Sequence, residues 1–313
     1  MEPDKLSIEQ ASERIKPYLH KTPVLTCSAI NKLFNADLYF KCENFQKAGA
    51  FKSRGATNAV FSLSESELNR GVATHSSGNH AAALALAASR RGAKAYIVMP
   101  ENSNRIKIKA VEGYGGIISF CKPTLQARED TLKDIIEATG AIEIHPYNDY
   151  RIIAGQATAA MELLNETHGL QVIMAPVGGG GLLSGTALSA RYFGMGVRVI
   201  ACEPAGADDA CRSFYSGSFV PSENPKTIAD GLLTSLGSIT YPIIKKYVDE
   251  IVTVSEESII EAMRLIWERM KIIIEPSSAV PLAAILEKKV NTGNKKTGII
   301  LSGGNVDLTA LPF

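Results

Sequence analysis

Apolar and polar positions along the chain switch between two periods, and the switches outline an α/β protein. Leu38, Phe40 and Cys42 fall on one face of a two-residue alternation, which predicts a strand over 36–43. Short apolar runs at 71–75, 95–100, 116–121, 141–144, 171–177, 198–202, 250–254 and 297–301 read as further strands. Between them lie stretches with helical spacing at 54–62, 81–91, 104–114, 125–139, 150–165, 182–193, 256–270 and 277–289. A first helix is predicted from Ser7 to about Tyr18, with Ser7 as N-cap and Gln10 in capping-box position. Residues 213–226 read as a loop rich in Ser, Gly and Pro. Strand–helix alternation of this kind predicts a parallel sheet covered by helices. The chain has no internal repeat and no clean linker. The expected organisation is a large domain made of 1–70 and 146–313, with 71–145 inserted as a small, mobile, substrate-binding domain. A small-molecule site between two such lobes is the natural expectation.

Composition narrows the class without naming it. The 313 residues are 45% hydrophobic and 21% charged, ordinary values for a globular protein with a sizeable core. A net charge of +1 provides no field to recruit nucleic acid or an acidic membrane. The five cysteines are scattered without metal-ligand spacing, which fits reduced thiols in the cytoplasm. No apolar run approaches the ~20 residues of a membrane span. The first residues show no apolar core behind a basic patch, so no signal peptide is expected.

Four constellations carry candidate chemistry. The run Ala48–Gly49–Ala50–Phe51–Lys52–Ser53–Arg54–Gly55–Ala56 places a lysine at the start of a helix. There the positive end of the helix dipole disfavours a cation and lowers its pKa, which suits a Schiff-base lysine. Taken alone, the same run also reads as a surface lysine beside a turn. Gly178, Gly179, Gly180 and Gly181 stand between an apolar strand and a helix, where free backbone amides make a phosphate cradle. No Gly-Lys-Ser/Thr follows them, and Leu183 stands where a dinucleotide fingerprint needs its third glycine or alanine. ATP hydrolysis and NAD chemistry are therefore not expected. Ser76–Ser77–Gly78–Asn79–His80 offers hydroxyls, an amide and backbone donors at a helix start, suited to a carboxylate or phenolate. Glu203, Asp208 and Asp209 read either as a solvated acidic turn or as oxygen ligands for a hard divalent cation.

These motifs, with the terminal Ser302–Gly303–Gly304–Asn305, occur in one order that resembles the fold-type-II pyridoxal-phosphate enzymes. The resemblance is to the serine/threonine dehydratase and serine racemase family, and it runs from about Ala11 to Asp307. It implies a two-domain, open, twisted parallel-sheet α/β fold like that of tryptophan synthase β. It implies that Lys52 binds the cofactor and exchanges protons at Cα, and that Phe51 packs beside the ring. Asn79 would bond the 3-oxygen, Gly178 to Gly181 the phosphate, and Ser302 would face the pyridine nitrogen with Gly231 near the ring. Ser76, Ser77, Asn79, His80 and Arg128 would hold the substrate, and Ser77 would be the acid/base on the face opposite Lys52. Glu203, Asp209 and the carbonyl of Ala207 would bind a divalent cation, Mg2+ or else Mn2+ or Ca2+. The implied activity is serine racemisation with serine/threonine dehydration. The alternative is a threonine or 3-hydroxyaspartate dehydratase without significant racemisation. A homodimer and a nucleotide effector belong to the same set of expectations, and no feedback-regulatory domain is expected after residue 313.

Overall fold

The computed structural model describes residues 1–313 except Ser77. The chain opens with α1 (Lys5–Ile15), β1 (Val24–Leu25), α2 (Ser28–Phe34), β2 (Asp37–Cys42), α3 (Lys52–Phe61) and α4 (Glu65–Leu68). It continues with β3 (Val72–His75), α5 (Asn79–Arg90), β4 (Ala95–Pro100), α6 (Arg105–Gly113), β5 (Ile117–Cys121), α7 (Leu125–Thr139) and β6 (Ile142–Glu143). The second half holds α8 (Tyr150–Glu166), β7 (Val172–Pro176), α9 (Gly181–Phe193), β8 (Arg198–Pro204), α10 (Asp209–Ser216) and α11 (Thr240–Tyr247). It closes with β9 (Glu250–Val254), α12 (Glu256–Met270), α13 (Pro276–Leu286) and β10 (Lys296–Leu301).

The strands form two sheets. The larger runs β1-β2-β10-β7-β8-β9 and the smaller β5-β4-β3-β6. All pairings are parallel except β1 with β2, an antiparallel edge where a short entry segment folds back. Leu38, Phe40 and Cys42 are fully buried in β2, as the alternation predicts. Among the described residues no helix is long and apolar enough to cross a membrane.

Several local expectations need correction. The N-cap of the first helix is Asp4, whose carboxylate accepts the amide of Ser7 at 2.8 Å. A carboxylate is favoured over a hydroxyl at the positive helix end. The region read as loop from residue 213 is helical to Ser216, and α11 carries no signal the sequence reading used.

One cluster beside the larger sheet runs against its apolar core. Lys41, Glu43 and Arg54 are buried together. Arg54 makes two forked ion pairs, to Glu43 at 2.7 and 2.8 Å and to Glu162 at 2.7 and 2.8 Å. Lys41 reaches the same Glu162 at 2.7 Å. Two residues after Lys52, this network ties α3 to β2 and α8.

Candidate active site

The last strand of the large sheet fixes the start of α3. The amide of Phe51 donates to the carbonyl of Ser302 at 2.9 Å, and Ala50 pairs with Gly303. Lys52 is the first residue of α3. Its Nζ donates to the carbonyl of Pro146 at 2.7 Å and stands 5.2 Å from the centre of the Phe51 ring. Burial lowers its pKa to about 8, against the opposing pull of Glu275.

Gly178 to Gly181 are all buried where β7 passes into α9. Among the described residues none of their four amides donates a hydrogen bond. Buried amides without acceptors are costly, so this loop calls for an anion. It also has no room for side chains. A Cβ on Gly178 would lie 2.8 Å from the backbone of Leu232, and one on Gly179 would lie 2.3 Å from the Tyr147 ring. Gly180 has φ of +88°, a left-handed conformation that favours glycine. Gly231 borders the loop, its carbonyl 3.3 Å from that hypothetical Gly178 Cβ. The residues fit a phosphate group.

Ser302 is buried, its hydroxyl 3.0 Å from that of Ser278. Ser278 is fixed in turn by the amide and carbonyl of Gly303, both at 2.7 Å. No acid stands in this pair. Asn79, the first residue of α5, donates to both oxygens of Glu275 at 2.9 and 3.0 Å and accepts from Asn305 at 3.0 Å. Burial raises the Glu275 carboxyl to about 7, opposed by the bond from Asn79.

Ser76 and His80 lie at the same end of the small sheet, and Ser77 falls outside the described residues. The amide of Ser76 is held by the carbonyl of Val98 at 3.0 Å. His80 is buried with Nε2 at 3.1 Å from the carbonyl of Ile144, while its Nδ1 has no partner among the described residues. Burial and then Lys52 hold this ring neutral, well below the usual histidine pKa. Arg128, on α7, is half-buried and donates to the carbonyl of Thr124 at 3.4 Å. His75 has a pKa lowered to about 4, first by burial and then by Arg128.

The cation candidates sit apart, at the end of β8. Glu203 accepts the amides of Ala210 and Cys211 at 3.0 and 2.8 Å, and burial pushes its carboxyl up to about 9. Asp209 is buried with neither oxygen bonded among the described residues, and burial raises it to about 6. Ala207 lies in the short turn between them. Glu203 and Asp209 offer oxygen donors of the kind a hard cation takes, with Arg212 as an opposing charge on Asp209, but among the described residues no group of three or more His, Cys, Asp or Glu side chains is placed to hold a metal ion.

The sequence reading missed Glu275, Ser278 and the turn at 145–148. The turn was findable, because it follows a predicted strand as the other site loops do. Glu275 had only a lone acid before Pro276 to mark it.

The fold and this lysine-centred cleft define a cofactor-dependent enzyme of the α/β class. The model of the family "Pyridoxal-phosphate dependent enzyme" matches residues 15–303, and the chain belongs to that family. A serine racemase of Dictyostelium discoideum is 53% identical, the match covering 97% of this chain and 95% of that protein. A beta-hydroxyaspartate dehydratase of Paracoccus denitrificans is 50% identical over 97% of this chain and 96% of its own length. The solved structure of maize serine racemase superimposes with a TM-score of 0.96 at 44% identity, covering 99% of this chain and 95% of that one.

Proposed function

We propose that this enzyme acts on small β-hydroxy amino acids, racemising serine and eliminating water from serine or threonine after loss of the Cα proton. One observation carries the reading: the half-buried Lys52 opens α3 with its Nζ on the Pro146 carbonyl, in the cleft that also holds the glycine loop and the Ser302–Ser278 pair, and burial there lowers its pKa to about 8. When bound, pyridoxal phosphate supplies the electron sink that makes the Cα proton acidic. The Nζ of Lys52 takes or returns that proton on its own face. Racemisation needs a second acid/base on the other face, the role assigned to the hydroxyl of Ser77. Elimination needs only one for Cα.

The glycine loop holds the phosphate, Phe51 packs beside the ring, Gly231 borders it, and Asn79 bonds the 3-oxygen. Ser302 offers the pyridine nitrogen a neutral hydroxyl. That limits the sink and suits proton exchange or elimination over transamination. Ser76, Ser77, Asn79 and His80 receive the substrate carboxylate, presented by a small domain of residues 71–145 that moves against 1–70 and 146–313. Glu203, Asp209 and the Ala207 carbonyl hold Mg2+ or a similar cation. The reading includes a nucleotide effector and a homodimer in the cytoplasm.

Arg128 favours a second reading. A half-buried guanidinium near His75 suits a substrate with a second carboxylate, so a 3-hydroxyaspartate dehydratase is the competing assignment. The test incubates holoenzyme with L-serine, L-threonine and L-threo-3-hydroxyaspartate and follows D-serine and keto acid together. D-serine beside pyruvate supports the racemase. Keto acid alone, fastest from hydroxyaspartate, replaces it with the dehydratase.

A further inference from the structure

We propose that His145 is a positioning residue whose imidazole Nδ1 holds the turn that presents the Pro146 carbonyl to Lys52. The proposal rests on the reading of Lys52 as the cofactor-bearing base. His145 follows β6, and its Nδ1 accepts the amide of Asn148 at 2.9 Å and that of Tyr147 at 3.3 Å. A ring nitrogen that accepts two amides carries no proton, so the hydrogen-bond pattern assigns the proton to Nε2.

The turn closed in this way does two things. The Pro146 carbonyl takes the Nζ of Lys52 at 2.7 Å. The next residue, Tyr147, lays its side chain against the glycine loop, so closely that a Cβ would lie 2.3 Å away on Gly179 and 2.9 Å away on Gly181. One imidazole therefore sets both the lysine's partner and a wall of the phosphate cradle. Adding a proton to Nδ1 would aim an N–H at two amide N–H groups and remove both bonds.

The surroundings keep the ring neutral. Burial is the main cause, followed by the His75 ring from β3, edge-on at 6.1 Å, and by Lys52 from α3. Asp149, which caps α8, pulls the other way. The Tyr147 ring packs edge-on at 4.6 Å, and Arg128 on α7 acts on the neighbouring His75. Burial, His75 and Lys52 lower the His145 pKa to about 4 against the pull of Asp149.

The test uses two variants and a spectrum. The Oδ1 of asparagine is as many bonds from Cα as the Nδ1 of histidine, and asparagine accepts the same amide in an Asx-turn. His145→Leu should lower kcat for Cα proton exchange on the order of 100-fold, as expected for a base misplaced by about 1 Å, with a smaller change in KM. It should also speed loss of the cofactor. His145→Asn should recover most of both losses. In the full-length holoenzyme with its five histidines 15N-labelled, His145 should show the Nε2–H tautomer and stay neutral at pH 6. A folded His145→Leu enzyme with wild-type kcat and cofactor retention overturns the proposal, as does an Nδ1–H tautomer. If His145→Leu does not fold, the asparagine variant and the tautomer decide. Borohydride trapping followed by peptide mass spectrometry separates the two levels, because wild-type protein with no cofactor on Lys52 refutes the Lys52 reading itself.

Discussion

Replacing Gly179 with alanine adds a methyl group where the structure leaves no space for one. The new Cβ would lie 2.3 Å from one ring carbon of Tyr147 and 2.4 Å from two others. Favourable carbon contacts begin near 3.5 Å, so the ring must retreat by about 1 Å. Gly179 is not among the residues with left-handed backbone, so alanine is acceptable to the chain itself and the whole effect is contact. Tyr147 is not free to retreat, because the His145 ring packs against it at 4.6 Å. Overpacking of this kind costs about 1–3 kcal/mol. The strain falls on amides assigned to the phosphate, so the cofactor's Kd should rise roughly 5- to 150-fold. Titration of cofactor-free protein with pyridoxal phosphate, followed by visible absorbance, reads that change. Tyr147→Ala removes the obstructing ring. On that background Gly179→Ala should cost less than about 0.5 kcal/mol, the scatter expected of uncoupled sites. Equal costs in both backgrounds would refute the steric argument and with it the account of why this loop carries glycine.

Further outcomes are expected. Ser77→Ala should abolish racemisation while leaving much of the elimination from the L-enantiomer, read by D-serine and pyruvate together; unchanged racemisation removes Ser77 from the mechanism. Lys52 accepts a proton only as the neutral amine, so Cα proton exchange should rise with pH through about 8. Glu275 raises that pKa, so Glu275→Gln should move the rise to lower pH, and a move to higher pH reverses the assignment. Arg54→Met strands Glu43, while Glu162 keeps its pair with Lys41, and should cost about 3–5 kcal/mol in chemical denaturation, whereas a cost below about 1 kcal/mol would mean the pairs contribute little. Chelation should lower the melting temperature and Mg2+ should restore it, while no shift returns Glu203 and Asp209 to a structural role.

The legible parts of this chain were those whose information is local. The alternation Leu38–Phe40–Cys42 marks a strand because a half-buried strand repeats every two residues, and all three side chains are fully buried. The loops around Lys52, Asn79 and the four glycines were visible because open α/β sheets bind ligands at the ends of strands. Helix α11 was missed because Pro242 and the pair Ile243–Ile244 weaken the helical signal, and tertiary packing of Ile243 and Ile244 decides the outcome. Lys41 shows the limit from the other side. Its charge places it with polar positions, yet it is fully buried because Glu162, far along the chain, supplies a partner. Glu275 bonds Asn79 across 196 positions, a pairing that no spacing rule reports.

The groups around Lys52 share one property, and it bears on the proposed role of this lysine as both acid and base. Burial is the leading cause that lowers His75 and His145 to about 4 and raises Glu275 to about 7. The same burial brings Lys52 to about 8. With an ordinary pKa near 10.4, only about 0.1% of the amine would be neutral at pH 7.5. With a pKa near 8, roughly a quarter is neutral, a gain on the order of 200-fold in usable base, while the protonated form still predominates. Elimination needs Lys52 only to take a proton from Cα, and a lower pKa would serve that step as well. Racemisation in both directions needs Lys52 to take a proton from one enantiomer and give one in forming it, with Ser77 acting on the opposite face, which requires both forms near working pH. A carboxyl at about 7 in the same pocket pulls the lysine upward and keeps it from falling further. The balance between desolvation and Glu275 therefore favours a two-way proton carrier over a one-way base.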